Sequence, residues 1–155
     1  LINAIGRINS DKLNIHLNIL GEGSKYNELK DLIHLNKLEN TVSLLGFKKN
    51  PFPWVLSSDI FICTSRAEGY SLVIAEAMVL GIPIISVNCS GPNELLNFGK
   101  YGLLIENSDS AIRDVLCSIV DKKINLENLK LLSNHRGKDF KLANILEQIE
   151  EVFDK

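Results

Sequence analysis

The sequence lacks the features that mark several large classes of protein. It contains three cysteines, Cys63, Cys89 and Cys117, which lie far apart and form no CxxC pair. This spacing argues against a disulfide framework and against a zinc site. Reduced thiols fit a cytoplasmic protein. Because Cys63 ends the apolar run 60–63, we expect it to be a small buried hydrophobic residue.

Long apolar runs and an excess of one charge are also missing. No run approaches the ~20 apolar residues that are needed to cross a bilayer, and no signal peptide is visible. Lys and Arg total 17 and Asp and Glu total 19, for a net charge of -2. The bulk charge therefore gives no reason to expect a nucleic acid as partner. The hydrophobic fraction of 45% is typical of a globular domain.

Short apolar segments alternate with helical patterns along the whole chain. The predicted strands cover residues 15–20, 42–45, 59–63, 83–87 and 103–105. The predicted helices cover residues 1–9, 24–36 (with Ser24 as cap), 51–57, 71–80 (ended by Gly81), 109–121, 126–134 and 139–153. This alternation predicts a Rossmann-like, three-layer α/β/α fold with a mainly parallel sheet. We expect one domain over residues 1–155, with its C-terminal helices at about 126–153.

Sheets of this kind bind ligands at the carboxyl ends of their strands, where the strand order reverses. The loops expected to carry the function are 21–24, 46–50, 64–71 and 88–94. The sequence starts without Met, and its first residues have the pattern of a helix interior, which suggests a domain excised from a longer protein.

The entry to the predicted helix 71–80 is the most informative segment, and it is formed by Glu68, Gly69, Tyr70 and Ser71. Free backbone N–H groups and the helix dipole favour an anion at such a place, for example a diphosphate. A glycine there lets the backbone approach a ligand closely.

Glu76 has only apolar neighbours three and four positions away, namely Leu72, Val73, Val79 and Leu80. A carboxylate on such a face is rarely buried without a partner. Since helical side chains lean toward the N-terminus, Glu76 can reach back and accept hydrogen bonds from two hydroxyls, such as those of a ribose. The pattern equally allows a solvated Glu76, and Glu68 equally allows a mere partner of the helix dipole.

A glycosidase acid–base pair is a less attractive interpretation of the two glutamates. Glu68 and Glu76 are eight residues apart, which on one continuous helix is ~12 Å of rise. Glycosidase carboxyl pairs are ~5–9.5 Å apart. Because Glu68 precedes the helix, the spacing disfavours this chemistry without excluding it.

The whole segment resembles the E-x7-E signature of the family-four retaining glycosyltransferases, which have the GT-B architecture. The matching residues are Ser65, Glu68, Gly69, Tyr70, Leu72, Glu76, Ala77, Met78, Gly81 and Pro83. Residues 89–94 resemble the S-G-P-x-E segment of bacterial cell-surface polysaccharide transferases, and residues 19–23 and 45–47 resemble the strand-ending G-x-G and L-G-[FY] of the family. The likeness spans about residues 1–121 in consistent order.

The resemblance implies the donor-binding half of a GT-B enzyme, with a UDP-sugar as the expected donor. It implies that Glu76 holds the ribose hydroxyls and that Glu68, the catalytic candidate, favours positive charge at the anomeric carbon. The other implied donor-binding residues are Gly69, Tyr70, Ser71, Leu72, Gly21, Gly23, Gly46, Phe47, Ser65 and Arg66. The family transfers with retention and usually needs no metal or other cofactor. No histidine here is spaced with a carboxylate pair as in a metal site.

One departure concerns the diphosphate. In the family an Arg and a Lys just before the first helix grip it, whereas Arg7 and Lys12 come too late to match. By the same resemblance we expect the acceptor-binding N-terminal domain to lie outside this sequence, so the chain alone is expected to be inactive. In the parent enzyme that domain would bring a glycan or lipid-linked acceptor, in the cytoplasm or at the inner face of the membrane.

Two other functions stay open. One is a different enzyme on the same scaffold, a nucleotide-sugar epimerase or a phosphorylase-like relative, although no phosphate-binding cluster or pyridoxal-binding lysine stands out. The other is a non-catalytic nucleotide-sugar-binding module, against which the intact Glu68 and Glu76 argue. The remaining polar candidates are interpreted as structural or solvated residues, namely His16, His34, His135, Lys48 and Lys49.

Overall fold

The computed structural model describes residues 1–8 and 15–140. The strands in these ranges are β1 (Leu17–Leu20), β2 (Val42–Gly46), β3 (Phe61–Cys63), β4 (Ile84–Val87) and β5 (Leu103–Ile105). The helices are α1 (Ile2–Gly6), α2 (Tyr26–Leu35), α3 (Phe52–Leu56), α4 (Leu72–Val79), α5 (Ser90–Leu95), α6 (Asp109–Val120) and α7 (Leu126–Gly137). A 3-10 helix, Lys138–Phe140, follows α7.

Every strand pair in the described chain is parallel. β1 pairs with β2, and β4 lies between β3 and β5. The predicted α/β class with parallel strands is therefore confirmed. The hydrogen bonds form two sheets, of two and three strands, and inside each sheet the strands follow the order of the chain. Neither sheet by itself contains the expected reversal of strand order.

The chain divides into two compact units. Unit 1 contains the described residues 1–8, 15–53 and 108–124, and unit 2 contains residues 54–107 and 125–140. Unit 1 thus holds the two-stranded sheet with α1, α2 and α6. Unit 2 holds the three-stranded sheet with α4, α5 and α7.

The core of unit 2 forms around β4, whose four residues are all buried, as is usual for a central parallel strand. Helix α4 packs Ile74 and Met78 into this core. Helix α7 lies close against α4 at Gly137. A Cβ at that position would be only 2.2 Å from the Met78 carbonyl oxygen, so a residue without a side chain is needed there. The buried Ser133 hydroxyl donates to the Ile82 carbonyl at 2.6 Å. These contacts hold α4 in one orientation.

In unit 1, helices α1 and α6 contact each other. Helix α1 buries Ile2, Ala4 and Ile5, and α6 buries Ile112 and Leu116 among others. This packing joins the two chain segments that form unit 1, because α1 belongs to the first segment and α6 to the second.

Two local predictions are wrong. The helix predicted at 24–36 begins at Tyr26, with Lys25 as its N-cap, because the Tyr26 N–H donates to the Gly23 carbonyl in a preceding turn. Ser24 is therefore not the cap. Residues 88–94, expected to be a loop, contain most of α5. The Gly-Pro pair concealed this helix, although proline is tolerated in a first turn, where the N–H has no partner.

The remaining helix boundaries differ by a few residues. Helix α1 ends at Gly6, and α7 continues to Gly137, three residues beyond the predicted end. Gly81 has φ +73°, so the predicted left-handed terminator of α4 is confirmed. Most of the helix predicted at 139–153 lies outside the described residues, as does Lys12.

Candidate functional site

The loop between β3 and α4 brings Ser65 and Glu68 into contact. The Ser65 hydroxyl donates to the Glu68 Oε1 atom at 2.9 Å. Glu68 is partly buried, whereas Arg66 and Tyr70 on either side of it are exposed. The structure thus holds the predicted catalytic carboxylate against Ser65, between residues that are exposed.

The N-terminus of α4 contains polar groups without partners. Ser71 is its N-cap residue, only 2% exposed, and within the described chain its Oγ atom has no hydrogen bond. An N-cap serine usually accepts from an N–H of the first turn, and a buried hydroxyl left unbonded is destabilising. The N–H groups of Leu72 and Val73 likewise have no acceptor within the described chain. These three donors together can bind an anion.

Glu76 lies on the solvent-facing side of α4. The apolar residues around it are open to solvent, with Leu72 67% exposed, Val73 50% and Val79 39%. The apolar neighbours therefore do not bury Glu76, which is exposed, so burial does not oblige this carboxylate to have a partner. Glu76 is one turn, ~6 Å of rise, from the start of the helix at Leu72. A side chain leaning toward the N-terminus can still reach that end.

Helix α5 holds the backbone of the loop between β3 and α4, a role that the sequence pattern did not predict. The Gly91 N–H and the Ser90 hydroxyl both donate to the Glu68 carbonyl oxygen, at 3.2 and 3.1 Å. A Cβ on Gly91 would fall 1.4 Å from the Gly69 carbonyl oxygen, so no other residue fits there. The only signal in the sequence was the likeness of residues 89–94 to the S-G-P-x-E segment. For Gly69, by contrast, a Cβ would meet nothing within 4 Å.

Two cysteines flank Ser65. The Cys63 sulfur is 3.7 Å from the Ser65 hydroxyl, and the Cys89 sulfur is 3.9 Å from the Ser65 carbonyl oxygen. Cys63 is buried, as predicted, and both thiols are free. They act as weak hydrogen-bond donors and as packing groups around the residue that contacts Glu68.

The candidate residues of unit 1 lie at the carboxyl ends of its two strands. Gly21 and Gly46 have φ values of +121° and +66°, which favour glycine, and the Gly21 N–H donates to the Gly46 carbonyl at 2.9 Å. Phe47 is 67% exposed. A Cβ on Gly21, Gly23 or Gly46 would have no neighbour within 4 Å. The backbone at this edge is thus open to a ligand, and the part of these residues in donor binding stays a prediction.

The histidines make contacts consistent with structural or surface roles. His16 contacts the Ser43 hydroxyl at 3.0 Å, and His135 stacks on Tyr101. His34 pairs with Glu39, and the backbone N–H of Glu39, followed by His34, holds the pKa of that carboxyl below its usual value.

The described residues contain neither a candidate metal site nor a candidate membrane span. Within the two described ranges, no three His, Cys, Asp or Glu side chains are grouped in a way that could bind a metal ion. Of the helices described there, none combines the length and the apolar character that a bilayer span requires.

Comparison with known proteins identifies relatives over most of the chain. The family model described as "Glycosyl transferases group 1" matches residues 1–122. An uncharacterized glycosyltransferase of Methanocaldococcus jannaschii is 33% identical, over 96% of this chain and 44% of the relative. The N-acetylgalactosamine-N,N'-diacetylbacillosaminyl-diphospho-undecaprenol 4-alpha-N-acetylgalactosaminyltransferase of Campylobacter jejuni is 34% identical, over 80% of this chain and 34% of its own length.

A solved structure has the same fold. The Anabaena protein HepE, crystallised in complex with UDP, superposes with a TM-score of 0.85 at 22% identity. The match covers 99% of this chain and 44% of the Anabaena chain. The present chain therefore spans less than half the length of each of these proteins, and its fold is that of a GT-B glycosyltransferase.

Proposed function

Because this chain belongs to the glycosyl transferases group 1 family, we propose that it binds a nucleoside diphosphate sugar for a sugar-transfer reaction. UDP is the proposed nucleotide, a choice supported by the UDP complex of the Anabaena protein. In the whole protein the sugar passes, with retention of configuration, to a glycan or lipid-linked acceptor. The diphospho-undecaprenol-linked sugar in the name of the Campylobacter relative supports that class.

The observation that carries this proposal is the set of unbonded donors at the start of α4. The buried Ser71 hydroxyl and the N–H groups of Leu72 and Val73 have no acceptor in the described chain. A diphosphate supplies oxygen acceptors and negative charge, which the N-terminal end of a helix stabilises. When the bond to the sugar breaks, charge develops on this diphosphate, so the same donors stabilise the leaving group.

Glu68 and Glu76 have distinct proposed roles. Glu68 lies in the loop that leads into this helix end, and its negative charge favours the positive charge that develops at the anomeric carbon. Glu76 is exposed one turn into α4, where its two oxygens can accept hydrogen bonds from the two ribose hydroxyls. A carboxylate that acts on the anomeric carbon needs a fixed position, and Glu68 is held by a hydrogen bond from Ser65. A carboxylate that binds ribose hydroxyls needs to be accessible, and Glu76 is exposed.

We further propose that the reaction needs no metal or other cofactor. The N–H groups and the hydroxyl at the start of α4 supply the stabilisation of the leaving diphosphate that a divalent cation provides elsewhere. The free thiols Cys63, Cys89 and Cys117 are consistent with the proposed cytoplasmic location. Turnover of the full-length protein in the presence of EDTA tests the proposal that no metal is needed, since both the release of UDP and the binding of UDP should be unchanged.

Replacement of Ser71 separates a binding role from a structural one. Ser71→Ala removes a buried hydroxyl that has no partner, so we expect the melting temperature to stay the same or to rise. The same change should weaken UDP binding about tenfold, because one donor to the diphosphate is lost. The measurements are thermal unfolding and calorimetric titration with UDP, GDP and ADP.

Ser57→Ala is the matched control, because Ser57 is an exposed serine of unit 2 whose hydroxyl donates to the Trp54 carbonyl. It should leave UDP binding unchanged. If neither the chain nor the full-length protein binds any of the three nucleotides, the proposed function is wrong. Equal affinity of wild type and Ser71→Ala would remove the start of α4 from the site.

A further inference from the structure

Glu68 is held at both its side chain and its backbone. Its Oε1 atom accepts the Ser65 hydroxyl at 2.9 Å, and its carbonyl oxygen accepts the Ser90 hydroxyl at 3.1 Å and the Gly91 N–H at 3.2 Å. The two serines are on opposite sides of Glu68 in the chain, one in its own loop and one at the start of α5. The three bonds fix both ends of the residue.

Packing alone cannot fix this carboxylate. The neighbouring residues Arg66, Ala67, Gly69 and Tyr70 are all exposed, and Glu68 itself is only partly buried. A glutamate side chain has several rotatable bonds, and ordering it has an entropic cost. A hydrogen bond between a hydroxyl and a charged carboxylate is one of the stronger polar contacts. The position of the Glu68 carboxylate therefore depends mainly on the hydrogen bond from Ser65 and on the two bonds that hold its backbone carbonyl.

Backbone contact between the loop and α5 makes this arrangement specific. The Gly91 Cα lies so near the loop that an ideal Cβ would be 1.4 Å from the Gly69 carbonyl oxygen and 3.0 Å from that of Glu68. Only a glycine allows the Ser90 hydroxyl and the Gly91 N–H to reach the same acceptor. Helix α5 is thus built to receive the backbone of the Glu68 loop.

The bonding pattern also leaves one carboxylate oxygen available. Ser65 occupies Oε1, and no residue of the described chain bonds Oε2. A carboxylate anchored through one oxygen presents the other in a defined direction. Such an oxygen can act on a substrate atom without first reorganising, which is the property that electrostatic catalysis requires.

We propose that Ser65 and Ser90 are positioning residues, which hold Glu68 so that its unbonded oxygen faces the anomeric carbon of the donor sugar. The proposal rests on the proposed function of the chain. In this role each serine acts through Glu68, which for Ser65 differs from the donor contact that the family resemblance implies. Their effect is on the chemical step, because a misplaced carboxylate loses interaction with the developing charge while the nucleotide still binds at the start of α4.

The test compares turnover with nucleotide binding in the full-length protein. The probes are UDP for binding, and UDP-glucose, UDP-galactose and UDP-N-acetylglucosamine for turnover, measured as UDP released without added acceptor. Ser65→Ala and Ser90→Ala should each lower kcat about tenfold, with the KM of the donor and the Kd of UDP within about twofold of wild type. Ser65→Thr keeps the hydroxyl and should recover most of the lost kcat.

Ser57→Ala is again the control, because the Ser57 hydroxyl also donates to a backbone carbonyl, but to that of Trp54 and not of Glu68. It should leave kcat unchanged. A kcat within about twofold of wild type in both alanine variants would overturn the positioning role. So would a parallel loss of kcat and UDP affinity that Ser65→Thr fails to recover, since that pattern indicates a damaged fold. If the wild-type protein binds no UDP, the proposed function fails first.

Discussion

The two faces of α4 have similar composition and opposite surroundings. One face buries Ile74, Ala75, Ala77 and Met78 in the core of unit 2. The other face carries Leu72, Val73 and Val79 in the open, with Glu76 among them. A helix that is apolar all round is usually buried all round. The comparison shows that hydrophobicity alone does not tell a structural face from one left free for other contacts.

The largest effect is expected on the buried face. The Met78 side chain is fully buried in the core of unit 2, so Met78→Ala should lower the free energy of unfolding by about 4 kcal/mol. Its neighbour in the chain, Val79, is 39% exposed, and Val79→Ala should cost less than about 1 kcal/mol. Urea denaturation measures both. Similar losses from the two variants would show that both faces support the fold.

The same contrast extends to two glycines beside the candidate site. Gly91→Ala places a methyl group where the Gly69 carbonyl oxygen lies, so we expect a loss of about 3 kcal/mol in the free energy of unfolding. Gly69→Ala meets nothing within 4 Å and should change stability by less than about 1 kcal/mol. If Gly91→Ala were as stable as wild type, the close backbone contact between the loop and α5 would be incorrect.

The open face should affect binding more than stability. Glu76→Gln keeps the size of the side chain and removes its charge, so we expect UDP binding to weaken about tenfold while the melting temperature stays unchanged. Glu127→Gln is the matched control, because Glu127 is an exposed glutamate on α7. Calorimetric titration with UDP measures the difference. An unchanged Kd for Glu76→Gln would leave Glu76 as a solvated surface residue.

The smallest effect is expected from an apolar residue of the open face. Leu72 is 67% exposed, so Leu72→Gln should change the free energy of unfolding by less than about 0.5 kcal/mol. Its N–H belongs to the backbone and remains available to an anion. UDP binding should therefore also be nearly unchanged, as measured by the same titration. A clear loss of stability would mean that the face is covered in solution.

Much of the fold could be predicted from local pattern. The apolar segments near residues 60 and 85 became β3 and β4, and Gly81 has the expected left-handed conformation. Strand, helix and turn signals depend on neighbouring residues, which are contiguous in the chain. Helix α5 was missed because Gly91 and Pro92 normally indicate a turn. Here the proline lies in the first turn, where its lack of an N–H does no harm.

The sequence by itself determined that parallel strands alternate with helices, that the chain belongs to its family, and that two glutamates lie near the start of α4. Only the tertiary structure decided which of them is held and which is exposed. Because α4 is apolar on every side of Glu76, its periodicity does not specify an inward face. Likewise, Glu68 bonds a serine 22 residues away, and a contact at that separation depends on how β3 and β4 pair.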